Sequence, residues 1–392
     1  MNRKRLIVIL SGVFVFVTAL VISFMCYVNG VFGDGGNGNP VVDIQEMRPL
    51  TEILSKDQVI EDRDKLIEYI ESVHPYFDLE EDKSEYVEEK IKFMAYCSKE
   101  MTVQQFFMAC ASFVNFFKDG HTRMMWNQTV FFSADFDYSD NKLFYGEEKS
   151  PVKKIDGIPV EEIFNMIINL LPIENEMTQK LYFEEYSKNL EILKLCSSNI
   201  PANYLMVSLE NGQEFKITKI KNNNPGYDRT TVYEKGDVVV VDFNLCQDDE
   251  VFQKACNDLE ERIKKGFKKV IIDIRGNPGG NSNTCDKLLE ILGMRPPEYS
   301  VYVRYSQKAK LQNGYKKGSG NYHYKGSAKK AKQNPDIQLC VLTDCHTFSS
   351  ATMLAVYVRD GKLGKIIGEP SANNPCSYGD IIYYSLPNSK IS

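Results

Sequence analysis

The chain has 392 residues, of which 43% are hydrophobic, so it exceeds one ordinary domain and can bury more than one core. A formal net charge of −6 leaves no global basic field, which excludes a general nucleic-acid binder. Ten cysteines occur, one of them (Cys26) in the N-terminal run, with no C-x-x-C pair and no regular spacing. That pattern excludes a disulfide scaffold and a structural zinc site, requires no metal or cofactor, and predicts small buried thiols.

Arg3, Lys4 and Arg5 precede an apolar run, Leu6 to Tyr27, that carries no charge and no proline. About 20 such residues cross a bilayer, whereas a cleavable signal has a shorter apolar core and ends in small residues. This run ends in Phe24-Met25-Cys26-Tyr27, which predicts an uncleaved anchor within residues 1–30, in contact with the membrane through residues 6–28. The basic flank stays cytoplasmic by the positive-inside rule, so everything that follows is extracytoplasmic. Residues 31–50 include the Gly/Asn tract GDGGNGNP (33–40), which reads as a flexible linker.

Residues 51–122 read as a helical unit, with apolar residues Leu66, Ile67, Ile70 and Val73, then Tyr86, Ile91, Phe93 and Met94. A third helix starts at the capping box Thr102-x-x-Gln105, and the unit closes at Lys118-Asp119-Gly120-His121-Thr122, with Gly120 as the natural helix terminator. Residues 123–232 are β-rich, with VKKIDGIPVEEIF, a helical stretch near 176–196, and a hairpin turning at Asn211-Gly212. This region resembles a PDZ-like peptide-binding module, with a plain β-rich insertion as the alternative. From Asp237 strands and helices alternate: 238–244, a helix bearing Phe252, Cys256, Leu259 and Ile263, then 270–274, a helix bearing Leu288, Leu289, Ile291 and Leu292, and strands near 299–305 and 338–342. Such alternation predicts an α/β domain with its chemistry at the carboxyl ends of parallel strands. Between Ser306 and Pro335 the chain is lysine-rich without an acidic residue, which reads as a solvated excursion or as an attraction for an anionic polymer.

Two loops leave those strand ends. Arg275-Gly276-Asn277-Pro278-Gly279-Gly280 lacks both phosphate-loop and dinucleotide spacing, and suits an oxyanion hole. Asp344 to Ala351 places Ser349 and Ser350 at a helix amino terminus, where free N–H groups favour developing negative charge; either serine could instead serve only as an N-cap. Four histidines limit the choice of base: His74 beside Pro75, His121 in the D-G-H-T turn, His323 in the lysine-rich excursion, and His346 three residues from Ser349. Cys345 is an alternative thiol nucleophile, disfavoured because adjacent side chains diverge from His346.

The ordered set DGHT (119–122), VIIDIRGNPGGNS (270–282), TFSSATMLA (347–355), IIGEP (366–370), YGD (378–380) and LPNSK (386–390) resembles the C-terminal-processing (tail-specific) serine peptidases, particularly their tricorn-core-like branch. The resemblance covers roughly the last 160 residues plus the helical unit. It implies a crotonase/Clp-protease-like α/β catalytic domain at 233–392 and a serine endopeptidase acting on peptide or unfolded-protein C-terminal segments, which the N-terminal apolar run would hold at the membrane. Ser349 matches the family nucleophile, and the oxyanion donors would be the amide of Ser350 and one of Gly279-Gly280. In one branch a lysine follows the glycine of GEP by six residues; here that position is Asn374, so the histidine branch, with His121 as base, is the match. A glutamate orients that histidine downstream of the LPNSK position, and the chain stops at Ser392, which implies a truncated sequence and leaves the third triad member unnamed. A non-catalytic ligand-binding protein on the same scaffold is the alternative, and an acyl-CoA enzyme of crotonase type a weaker one. The oligomeric state is not legible.

Overall fold

The computed structural model describes residues 45–125, 130–197, 199–221, 230–325 and 330–392. The expected membrane anchor and most of the linker lie outside the described residues. Among the described residues no helix is long and apolar enough to cross a membrane.

The helical unit comprises Lys56–Val73, Ser84–Tyr96 and Val103–Val114. The first and third are started by reciprocal capping boxes, Ser55 with Gln58 and Thr102 with Gln105, which satisfy the N-cap amide and the amide three residues on in each; Ser84–Tyr96 starts at Lys83 without a side-chain cap. Leu66, Ile67, Ile70, Tyr86 and Phe93 are buried as their spacing predicts, but Ile91 is 61% exposed and faces away from the core. The third helix stops earlier than expected. After Val114 one 3₁₀ turn (Asn115–Phe117) follows, and Lys118 takes the left-handed terminating conformation at φ 47°, so Gly120 is not the helix terminator.

In the β-rich region, Phe136–Ser139, Lys142–Tyr145, Ser150–Ile155, Leu205–Leu209 and Glu214–Ile217 form one antiparallel path, and Ile158–Pro159 pairs back on Ser150–Ile155. Gly212, at φ +87°, makes the turn between the last two. The helical stretch is two helices, Glu176–Tyr186 and Leu190–Cys196, each started by an asparagine side chain, Asn175 or Asn189. The helical unit and this region share one continuous apolar cluster, which includes Phe106, Phe107, Ile155, Ile163 and Leu193.

The last part is an α/β layer with a second core built on Val239, Val241, Ile272, Leu288 and Val341. Its five-stranded sheet runs in the order Thr231–Lys235, Val238–Asp242, Lys269–Asp273, Gln338–Thr343, Lys365–Gly368, with only the first strand antiparallel. The segment near 299–305 does not join it. Val301–Tyr305 instead pairs with Gly320–Tyr324 in a separate hairpin formed within the lysine-rich excursion. The LPNSK segment returns to the helical unit: the fully buried carboxylate of Asp62 accepts the backbone N–H groups of Asn388 (2.8 Å) and Ser389 (2.7 Å).

Candidate functional site

The two glycine- and serine-bearing loops leave adjacent parallel strands and are laced together. Gly276 N–H donates to Asp344 Oδ1, Phe348 N–H donates to the Asn277 carbonyl, and Asn277 Nδ2 donates to the Phe243 carbonyl. A Cβ placed on Gly279 would stand 2.6 Å from Ser349 Cβ, so glycine there is what lets the first loop touch the second. Ser349 begins the Ser350–Asp360 helix at φ 53° and ψ −123°, a backbone region costly for any residue with a Cβ. Serine is held in it by its surroundings: its N–H donates to Asn373 Oδ1 at 2.9 Å. Its side chain makes no cap bond, which leaves the hydroxyl free for another partner.

That partner is His121, whose Nε2 lies 3.0 Å from Ser349 Oγ, 228 positions away in sequence. The imidazole packs against the Phe348 ring, centroids 4.8 Å apart. On its other side Nδ1 lies 3.5 Å from Asp119 Oδ1, and both side chains are almost wholly buried. Neither Nδ1 nor Oδ1 has a hydrogen-bond partner among the described residues, and at 3.5 Å each is the nearest complement for the other, so a proton on Nδ1 faces Oδ1. This tautomer leaves Nε2 able to accept the Ser349 hydroxyl hydrogen.

Asp119 is itself held. His74 Nδ1 accepts the Tyr76 N–H, which puts the His74 proton on Nε2, 3.2 Å from Thr122 Oγ1; the Thr122 hydroxyl then donates to Asp119 Oδ2 at 3.0 Å. Burial pushes His74 down to about 4, keeping it neutral and consistent with a fixed donor. On the far side of the turn, Glu174 accepts the Gly120 N–H at 2.9 Å, and a Cβ on Gly120 would meet Glu174 Oε1 at 2.7 Å and Phe348 Cζ at 2.8 Å. Close approach is thus the reason for glycine at 120.

The remaining candidates separate. Gly279 donates its N–H to Asn277 Oδ1 at 2.8 Å, so that amide is occupied; the amides of Gly280 and Ser350 have no acceptor among the described residues. Ser350 Oγ donates to the Gly280 carbonyl at 2.6 Å, which keeps the two segments in register. His346 is exposed, with its N–H on Asp344 Oδ1, and His323 lies on the exposed Gly320–Tyr324 strand. Burial pushes the Cys345 thiol up to about 12, which removes it as a thiolate at neutral pH. Asp119, two positions from His121, had a visible motif but no assigned role. Glu174 and Asn373 carried no sequence signal at all.

Residues 235–377 match Peptidase family S41. A probable CtpA-like serine protease of Staphylococcus aureus (strain N315) is 23% identical over 166 residues, 41% of this chain and 30% of that protein. The match therefore spans less than a third of the curated relative's length. Among solved structures, a CPAF mutant aligns at a TM-score of 0.52 and 12% identity over 81% of this chain and 84% of that one, a likeness of fold. A photosystem II D1 C-terminal processing protease aligns over 81% and 82% at 13% identity, with a TM-score of 0.39.

Proposed function

We propose that this chain, whose residues 235–377 match Peptidase family S41, hydrolyses peptide bonds as the C-terminal-processing serine peptidases do, through an acyl-enzyme on Ser349. The observation that carries this reading is the 3.0 Å approach of His121 Nε2 to Ser349 Oγ. His121 takes the hydroxyl proton as Oγ bonds to the scissile carbonyl carbon, and returns it to the amine as the C–N bond breaks. Water, deprotonated by the same imidazole, then adds to the ester carbonyl, and the proton returns to Ser349 Oγ as its bond to the acyl carbon breaks. Asp119 faces Nδ1 and stabilises the imidazolium formed in each half-reaction; its 3.5 Å distance is of the kind that shortens when substrate is bound. The Ser350 and Gly280 amides are the donors that best fit the developing oxyanion, since the Gly279 amide is already engaged.

The finer picture is also our reading. Residues 233–392 act as a crotonase/Clp-like catalytic domain, 51–122 supply the base, and 123–232 act as a PDZ-like module presenting peptide or unfolded-protein C-terminal segments. Residues 6–28 anchor the chain with its catalytic part outside the cytoplasm. The test is labelling by a fluorophosphonate, in which Oγ displaces fluoride from phosphorus. Label on Ser349, absent in Ser349→Ala and strongly reduced in His121→Ala, supports the reading; equal labelling without His121 contradicts the assigned base.

A further inference from the structure

Resting on that assignment of Ser349 and His121, we propose that Glu174, with Asn373, is a positioning residue that holds the base turn and the nucleophile loop at working distance. Glu174 sits in the segment just before the Glu176–Tyr186 helix, outside both loops that carry the reacting groups. Its Oε1 accepts the N–H of Gly120, the residue next to His121. Its two oxygens accept Asn373 Nδ2 at 3.2 and 3.0 Å, and Oε2 accepts the Asn374 N–H at 2.7 Å. Asn373, 2% exposed, then accepts the Ser349 N–H on Oδ1 at 2.9 Å.

The result is an unbroken bridge, Gly120 N–H to carboxylate to amide to Ser349 N–H. Its polarity allows one arrangement. An ionised carboxylate only accepts, so Asn373 must turn Nδ2 towards it, which leaves Oδ1 for Ser349. Ser349 keeps its strained φ of 53° only if something over-determines it, and this acceptor does so at the residue itself. Burial raises the Glu174 carboxyl, and the three N–H groups aimed at it oppose that rise. Asn374, at the position where the other branch of the family carries its lysine, is also spent on this bridge: its Nδ2 donates to the Glu174 carbonyl at 3.2 Å and its Oδ1 accepts from Asn175 Nδ2 at 3.0 Å.

Glu174→Gln keeps the shape but sets an amide donor against Asn373 Nδ2 and, by its orientation, against either the Gly120 N–H or the Asn374 N–H. Asn373→Asp sets a second carboxylate against Glu174, and the double variant restores a donor–acceptor pair between the two side chains. We expect fluorophosphonate labelling of Ser349 in the full chain to slow roughly 100-fold in each single variant. The double variant should recover at least tenfold, and peptide KM should change little. Should Glu174→Gln lose its cooperative unfolding transition, Asn373→Ala is the deciding variant, with the same loss expected. Wild-type rates in Glu174→Gln or Asn373→Ala, or a double variant no faster than the singles, overturn the bridge. Absence of label in the wild type overturns the underlying nucleophile assignment instead, so the two failures are distinct.

Discussion

Gly120→Ala tests how tightly the base turn is seated. The backbone at 120 is not in the left-handed region, so alanine is conformationally acceptable and the effect is one of space alone. Its Cβ would stand 2.8 and 3.0 Å from two atoms of the Phe348 ring and 2.7 Å from Glu174 Oε1. Ordinary carbon contact begins at about 3.5 Å, so the ring must withdraw by roughly 0.7 Å and the carboxylate by a similar distance. Overpacking of this kind costs about 1–3 kcal/mol, offset by about 0.4–1 kcal/mol from the stiffer unfolded chain. The net loss, at most about 2.6 kcal/mol, should lower Tm by only a few degrees. Activity should suffer far more. Phe348 packs on the His121 ring and precedes Ser349, so its displacement acts on both partners of a 3.0 Å contact, and misplacement near 1 Å costs roughly 100-fold. The assay is the fluorophosphonate labelling rate of Ser349 beside a thermal melt of the same sample. A labelling rate within about threefold of wild type would refute the claim that His121 is seated by this packing.

Asp119→Asn removes the buried anion facing Nδ1 while keeping its shape; labelling should slow by roughly 100-fold or more, and an unchanged rate would exclude Asp119 from the mechanism. Gly279→Ala places a Cβ 2.6 Å from Ser349 Cβ and 2.8 Å from Ser350 N at a φ of +93°, so about 3 kcal/mol or more of stability and nearly all labelling should be lost, read by urea denaturation and the same probe. His74 has a depressed folded-state value of about 4 against an ordinary 6.5, so the unfolded chain takes up its proton first as pH falls. Its contribution is present above pH 6.5 and is lost between 6.5 and 4, about 3 kcal/mol in all. Urea denaturation at pH 7 and pH 4 should show a loss smaller by about that amount in His74→Asn, and an identical loss would remove His74 as the cause.

Much of this site was legible because its parts are local. A turn of four residues carries His121 and Asp119, six residues carry the glycine loop, and the strand–helix junction carries Ser349; each declares itself by residue type and spacing. The alternating pattern from residue 237 likewise foretold the parallel sheet, since buried parallel strands are continuous apolar runs. Ile91 and Gly120 were misread for one reason: helical periodicity and helix-ending propensity are local, whereas which neighbour packs against a face is not. The 299–305 segment has strand character, and only its pairing choice placed it in a separate hairpin.

Residue types and local spacing carried the inventory: a serine at a helix start, one histidine in a glycine turn, and glycine-bearing amides at a strand end. Tertiary structure alone decided that the imidazole 228 positions away reaches the hydroxyl, that Asp119 lies against its other nitrogen, and that Glu174 and Asn373 bridge the two loops. The physical reason is that hydrogen-bond partners are selected by distance and direction after the cores have packed, and glutamate or asparagine in an irregular segment carries no periodicity that could announce its partner beforehand.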